Sequence, residues 1–308
     1  MECLVTGGAG FIGSNLVDAL AARGDRVTVL DNLSTGKRAN LDQALARGAC
    51  LEIADVRQPQ AVLEVFERAR PQLVFHLAAQ IDVRCSMADP GGDATANVLG
   101  TIAVLEAARR VGARRVVSTS TGGGLYGEAE LRPTPEEHPI RPLAPYGQSK
   151  YAAEGYCELY ARLHDLSTVS LRHGNVYGPR QDVHGEAGAV AIFCGALVSG
   201  RRPTVFGDGC QTRDWVEVSD VVRAYLLAGD CSVTGAVNIG SGRETSVVQL
   251  LEALGVVSER RLAEPRQAPE RRGEVRHSCL AVARAKRELG WAAKVELREG
   301  LRGILAGL

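Results

Sequence analysis

This 308-residue sequence predicts an α/β protein with a doubly wound parallel sheet and a smaller, interwoven C-terminal α/β lobe. Three observations support that class. Strand-like and helix-like stretches alternate from the first residues, the strand stretches are nearly continuous apolar runs, and a glycine-rich turn separates the first strand from the first helix. Alternation supplies crossover connections, and continuous apolar strands are what a parallel sheet covered on both faces requires. With the glycine turn at its head, the pattern is of Rossmann type.

The elements follow in order. Glu2–Thr6 reads as a strand and Phe11 to Arg23 as a helix, with Gly24 placed as its C-cap. Further strands are expected at Arg26–Leu30, Ala49–Ile53, Leu73–Leu77, Arg115–Ser118 and Thr168–Leu171. Residues 59–70, 93–111 and 146–164 fit helices, and Pro59 suits a first-turn position. After about residue 172 the rhythm breaks. Glycine and proline recur at Gly174, Gly178, Pro179, Gly185 and Gly188, while Val237–Gly240 reads as a strand returning to the main sheet. The expected division is thus 1–172, with a returning segment near 215–245, and 173–308 as the smaller lobe. The basic stretch 258–276 reads as an exposed linker on composition alone.

Composition narrows the partners. Thirty-six basic and 36 acidic residues cancel, which gives no reason to expect nucleic acid or an anionic membrane as a partner. The N-terminus runs straight into the glycine turn without a basic, apolar leader, and there is no apolar run of membrane-spanning length. Eight scattered cysteines without a CxxC pair read as reduced thiols, so the cytoplasm is the expected compartment. His76, His138, His164, His173, His184 and His277 show no ligand spacing, and no metal is expected.

Thr6-Gly7-Gly8-Ala9-Gly10-Phe11-Ile12-Gly13 places glycines at 7, 10 and 13 between strand and helix. Glycine permits positive φ and a close backbone approach, and the helix N-terminus adds partial positive charge, so the loop suits a pyrophosphate. Asp31 ends the next strand, where a carboxylate accepts bonds from an adenosine ribose and repels a 2′-phosphate. That favours NAD over NADP, with Lys37 and Arg38 in the same loop as the counter-indication. Asp55 and Val56 are candidates for the adenine edge, and on spacing alone an ordinary surface turn fits them nearly as well.

Pro145-Tyr146-Gly147-Gln148-Ser149-Lys150 opens a predicted helix, and residues four apart share a face, so Tyr146 and Lys150 project toward one point. A phenol titrating near ~10 is a poor base at neutral pH. An adjacent ammonium and a cationic nicotinamide both favour phenolate, and the expectation is a lowered tyrosine pKa. Tyr146 then takes a proton from an alcohol as hydride leaves the same carbon. Ser118, Thr119, Ser120 and Thr121 close the preceding strand at the edge where open α/β sheets bind ligands, with Ser120 and Thr121 as candidate hydroxyl partners.

The stretches LVTGGAGFIGSNL (4–16), LDNLSTGKRANL (30–41), HLAAQIDVRCS (76–86), STSTGGGLYGE (118–128), APYGQSK (144–150), RHGNVYGPRQ (172–181), FGDGCQTRDWVEVSDVV (206–222), NIGSG (238–242) and RRGEVRHS (271–278) cover nearly the whole chain in order. Together they resemble the extended short-chain dehydrogenase/reductase family, UDP-glucose 4-epimerase branch. The resemblance implies NAD-dependent 4-epimerisation of a UDP-hexose through a 4-keto sugar. It implies that Gly7, Gly10, Phe11, Ile12, Gly13, Asp31, Asn32, Asp55, Val56, Ala78, Gln80 and Asn97 line NAD. Tyr146 is then the base, Lys150 its electrostatic partner and nicotinamide-ribose ligand, and Thr121 or Ser120 the hydroxyl. Asn175, Arg213 and Arg271 are implied to hold the nucleotide diphosphate, and Val205 and Phe206 to contact the uracil. On this basis 258–276 is a segment that folds inward.

Departures from the family pattern bear on substrate. Gly122-Gly123-Gly124 lengthens the loop before Tyr126 relative to some relatives, leaving Thr121 and Ser120 both open. Gly122 and Gly123 stand where dehydratase relatives carry an acidic pair and uronate decarboxylases a glutamate, so elimination and decarboxylation are disfavoured. Ser278 occupies the position that gates sugar size, and a small residue there leaves room for an N-acetyl group. A nucleotide-sugar oxidoreductase, uronate 4-epimerase or dehydratase remains the alternative enzyme, and a silent NAD-binding regulator the alternative class. Val104, Leu105, Tyr151, Tyr156, Leu159 and Tyr160 exceed what one buried face of helices 93–111 and 146–164 requires. Core packing explains them equally; relatives pair such helices across a two-fold axis, which implies a homodimer.

Overall fold

The computed structural model describes residues 1–182, 188–258, 263–271 and 273–307. Five strands fall where apolar runs punctuate the first half: β1 (Glu2–Thr6), β2 (Arg26–Asp31), β3 (Cys50–Ile53), β4 (Leu73–His76) and β5 (Arg115–Thr121). They are joined later by β6 (Ser167–His173) and by β10 (Gly235–Ile239) in a seven-stranded sheet ordered β10-β6-β5-β4-β1-β2-β3. The pairings β3–β2–β1–β4–β5 are parallel. All four residues of β4 and four of the five in β1 are buried, as strands with both faces covered must be. From β1 the chain runs outward through β2 and β3, then returns to lay β4 on the other side of β1. That reversal falls between β1 and β4, and the carboxyl ends of strands at such a switch point are where sheets of this kind take ligands.

The chain divides into two compact units. The first comprises Met1–Thr121, Pro145–Arg172 and Val222–Val237; the second comprises Gly122–Ala144, His173–Val221 and Asn238–Leu308. In the first, Leu4, Leu30, Val74, Val104 and Leu105 are at most 1% exposed and pack with Phe66 and Val62 of the helix Pro59–Ala69. Val104 and Leu105 therefore belong to the core, as does Tyr160, whose hydroxyl donates to Glu106 at 2.7 Å, whereas Tyr151 and Tyr156 are exposed.

Three local features differ from expectation. The first helix ends at Ala22 with Arg23 as C-cap, and Gly24 follows with φ +87°. The expected helix 93–111 begins earlier, at Pro90, capped by Asp89. Its segments Pro90–Ala94 and Gly100–Val111 are joined by a π-helical turn, Thr95–Leu99. Such turns cluster at functional sites because they re-aim one side chain, and here the buried one is Asn97. Strand β5 runs on to Thr121, which carries the row of hydroxyls within the sheet rather than beyond it.

The second unit holds a three-stranded sheet of β7 (Asn175–Tyr177), β9 (Thr212–Glu217) and β11 (Glu244–Ser246), in which β9 pairs parallel to β7 and antiparallel to β11. A two-stranded parallel sheet pairs β8 (Thr204–Phe206) with β12 (Arg266–Ala268). The described part of 258–276 is thus tied into a sheet and is not a free linker; its remainder, 259–262 and 272, and likewise Gly185 and His184, lie outside the described residues. Tyr177, Phe193, Trp215, Leu250, Leu254 and Leu301 form the apolar centre of this unit. Asp214 is fully buried there and accepts bonds from the backbone N–H groups of Ser241, Gly242 and Leu280 and from the Ser241 hydroxyl. Four donors to one carboxylate knit β9 to the segments on either side.

Candidate active site

The glycine turn is a cradle that side chains would fill. Gly7 has φ +68°, and a Cβ on it would lie 2.6 Å from the Ala78 nitrogen; a Cβ on Gly13 would lie 2.1 Å from the Gly7 carbonyl oxygen. Gly10 caps the helix Phe11–Ala22 without any side-chain bond, which leaves the first-turn N–H groups of that helix to a ligand. Asp31, 6% exposed, accepts from Ala9 N (2.9 Å) and Leu33 N (2.8 Å), so the carboxylate braces the loop and retains lone pairs for hydroxyl donors. Lys37 and Arg38 are exposed. Asn32 donates to Asp55 at 2.8 Å, and Arg57 grips the same carboxylate from two nitrogens, holding it well below the usual carboxylate range. Val56 is buried against Gly100. This Cβ-free cradle and donor set fit a dinucleotide.

Behind the loop lies a sealed chain of polar groups. The Thr101 hydroxyl donates to Asn97 O at 2.6 Å, so it must accept from His76 Nε2 at 2.9 Å. His76 is then the Nε2–H tautomer, and its Nδ1 accepts from the Thr6 hydroxyl at 2.7 Å, which in turn accepts from Ala78 N at 3.2 Å. Asn97 continues the chain: its Oδ1 accepts from Gln80 N (2.8 Å), and its Nδ2 lies within bonding distance of Gln80 O, Asp93 Oδ1 and Ser149 Oγ (3.0, 3.1 and 3.0 Å). Asn97, 1% exposed, thus acts by positioning Gln80 and the helix Pro145–Leu163. Burial holds His76 neutral, its pKa pushed down to about 3, with Lys150 as the lesser cause.

Tyr146 and Lys150 open that helix, and Ser149 between them donates to the Tyr146 carbonyl at 3.0 Å. The Tyr146 hydroxyl is hydrogen-bonded to Thr121. Ser120 is buried, and its Oγ has no partner among the described residues. Strand alternation turns these neighbours to opposite faces, which selects Thr121 as the hydroxyl beside the phenol. In the chain without cofactor, burial outweighs the neighbouring hydroxyl at Tyr146. Burial dominates and pushes Tyr146 up to about 12, with the Thr121 bond lowering it and Asp93 raising it. Burial likewise pulls Lys150 down to about 8, against Cys157, Glu154 and Asp93. Four residues along the helix, Glu154 forms a buried two-pronged ion pair with Arg172.

In the second unit the implied nucleotide residues gather around one carboxylate. Arg213 lies 3.5 Å and Arg271 3.3 Å from Glu274, and the Arg271 guanidinium lies 3.7 Å over the Phe206 ring. Val205 is buried in β8. A Cβ on Gly123 would stand 3.4 Å from Asn175 Oδ1 and 4.0 Å from Ser278 Oγ, whereas one on Gly122 would meet Leu280 at 2.5 Å. Ser278 is 6% exposed. Among the described residues no group of acids, histidines and cysteines could hold a metal.

Residues 3–240 match the model of the NAD dependent epimerase/dehydratase family, and this chain belongs to that family of nucleotide-binding α/β proteins. It is 46% identical to the UDP-glucose 4-epimerase of Mycolicibacterium smegmatis over 304 residues, 98% of this chain and 96% of the relative. It superposes with a TM-score of 0.96 on the Thermotoga maritima UDP-glucose 4-epimerase solved with UDP-glucose, at 44% identity, covering 99% of this chain and 98% of that one. The Thermus thermophilus UDP-glucose 4-epimerase in complex with NAD gives 0.93 at 42% identity, covering 99% and 98%.

Sequence reasoning missed Thr6, His76, Asp93, Thr101, Ser149, Glu154, Arg172 and Glu274. Their signal was a polar residue inside an apolar run, which spacing alone does not separate from a surface position. His76 yields a check. Its unfolded pKa near 6.5 exceeds its folded one near 3, so between those values the unfolded chain binds a proton that the folded chain refuses. Stability then falls as pH falls, by about 1.4 kcal/mol per unit. In His76→Gln the unfolding free energy measured by denaturant between about pH 6 and 4 loses this one-proton slope; an unchanged slope contradicts a buried neutral imidazole.

Proposed function

We propose that this chain interconverts UDP-glucose and UDP-galactose by NAD-dependent 4-epimerisation, and that Ser278 admits the N-acetylated pair. One observation carries the reading: the Tyr146 phenol is bonded to Thr121, with Lys150 four residues along the same helix, in a unit headed by a dinucleotide cradle. NAD is held by Gly7, Gly10, Phe11, Ile12, Gly13, Asp31, Asn32, Asp55, Val56, Ala78 and Gln80, and when bound it supplies reversible hydride acceptance at the sugar C4. Tyr146 performs the matching proton transfer. Its phenolate oxygen takes the 4-hydroxyl proton as the C4 carbonyl forms, and returns it to the same oxygen when the opposite face is reduced. Thr121 orients that oxygen. A phenol at about 12 is too weak a base by itself, and the positive charges of Lys150 and of a nicotinamide ring are what bring it into range.

Within the second unit, Arg213 and Arg271 take the diphosphate, for which guanidinium forks are suited, while Asn175, Val205 and Phe206 contact the nucleotide. A side chain at Gly122, where dehydrating relatives are expected to carry an acid, would collide with Leu280, which supports epimerisation over dehydration. The exposed Tyr151, Tyr156 and Leu163 of the catalytic helix support a two-fold dimer through that helix. No helix among the described residues is long and apolar enough to cross a membrane, and the cytoplasm is the compartment we assign.

Tyr146→Phe is expected to lower kcat by about 10² to 10⁴ while NAD still co-purifies, measured by cofactor release on denaturation. Near-normal turnover rejects Tyr146 as the base. Light scattering is expected to return twice the 32.7 kDa chain mass, and a monomer at working concentration removes the dimer.

A further inference from the structure

Asp93 sits in the short helical segment Pro90–Ala94 and is 2% exposed. Its Oδ1 accepts from Gln80 Nε2 at 2.8 Å and lies 3.1 Å from Asn97 Nδ2. Its Oδ2 is buried and has no hydrogen-bond partner among the described residues. An asparagine could make the same two bonds through its carbonyl oxygen without burying a charge, so the wiring does not require a carboxylate. Burying a carboxylate without a paired cation is costly, so a carboxylate at this position calls for a reason beyond the two bonds.

The surrounding groups show on what. From the helix Pro145–Leu163, packed against this segment, come Tyr146, Lys150, Glu154 and Cys157. Glu154 is neutralised by Arg172, and burial pushes the Cys157 thiol up to about 11, so it stays neutral. His76 is neutral, and Ser118 and Thr121 of β5 are hydroxyls. Burial pushes the Tyr225 phenol of Val218–Asp230 up. On the helix Val83–Ala88, Arg84 is exposed, and Asp82 and Asp89 are occupied as caps of successive helices. Glu106, on the segment Gly100–Val111, is paired with Arg109. Among these described groups Asp93 is the one buried carboxylate without an ion-pair partner.

We propose that Asp93, held by Gln80 and Asn97 with its second oxygen left unbonded, is a positioning carboxylate whose charge sets the pH window of the Tyr146–Lys150 pair. The inference rests on the proposed role of Tyr146 as base. A fixed negative charge favours the ammonium of Lys150 and disfavours the phenolate of Tyr146, so it moves both titrations upward together. It offsets part of the burial that pulls Lys150 toward neutrality, and it acts in the same upward sense on Tyr146.

The test uses the full chain with its bound cofactor. In Asp93→Asn, both limbs of the kcat/KM pH profile are expected to move to lower pH by about one unit, as removal of one nearby charge requires. The tyrosinate absorbance titration of Asp93→Asn, after subtraction of the same titration with Tyr146→Phe added, shifts the same way without reliance on turnover. Asp93→Glu keeps the charge and leaves the limbs in place. If Asp93→Asn does not fold, Asp93→Ser, which leaves room for water beside Gln80 and Asn97, is read identically. Lower activity with both limbs and the absorbance titration unmoved overturns the inference and makes Asp93 purely structural. Turnover surviving in Tyr146→Phe alone overturns instead the assignment of the base, while the absorbance comparison still decides on Asp93.

Discussion

A histidine sealed inside an apolar sheet must satisfy both ring nitrogens from the protein, and His76 does so with two threonine hydroxyls. That requirement fixes the direction of every bond beyond it. Thr6 must donate inward, which leaves its oxygen to receive Ala78 N, and the strand end carrying Ala78 is thereby drawn against Gly7. Thr101 must donate to Asn97 O, which fixes the π-turn on which Asn97 reaches Gln80 and Ser149. The glycine cradle, the carboxyl end of β4 and the helix of Tyr146 and Lys150 are therefore parts of one hydrogen-bonded object. Each buried donor left unmatched would destabilise it by about 1–3 kcal/mol, which makes the arrangement cooperative.

The same dryness sets the electrostatics of the site. A buried phenol and a buried ammonium both drift toward neutrality, so Tyr146 titrates high and Lys150 low. The chain counters this with fixed groups: Thr121 on the phenol, and Glu154 and Asp93 around the lysine. Because Arg172 already claims Glu154 through a two-pronged contact, the local balance of charge is narrow. A site of this kind gains responsiveness to an arriving cationic ring, since any added charge acts in a low dielectric.

Much of the fold was legible because apolar runs of four to six residues, a glycine turn and Asp31 at a strand end leave few topologies open. Gly7 and Gly13 were readable from their place between strand and helix, and in the structure a Cβ at each would meet backbone and not a yielding side chain. The choice between Ser120 and Thr121 was not readable, since it depends on which face of β5 meets the phenol, and β5 runs three residues beyond its expected end at Ser118. The burial that raises Tyr146 escapes the sequence, because spacing reveals a neighbouring lysine but not the water excluded from both. Asn97 is implied by the resemblance as a cofactor contact, whereas its bonds to Gln80 and Ser149 were not readable from spacing. In the second unit, short strands broken by glycine carry little periodicity, so the tie of β12 to β8 and the Glu274 link between Arg213 and Arg271 emerge only from the structure.

On the proposed mechanism, proton and hydride leave and return at one carbon and its oxygen, with Tyr146 handling the proton. The most direct measurement incubates the purified chain, without added cofactor, with UDP-glucose deuterated at C4 and follows both 4-epimers by NMR. The expected result is UDP-galactose that retains the deuterium at C4 with no exchange into solvent. Loss of the label to water, or failure to form the epimer while NAD remains bound, would contradict it.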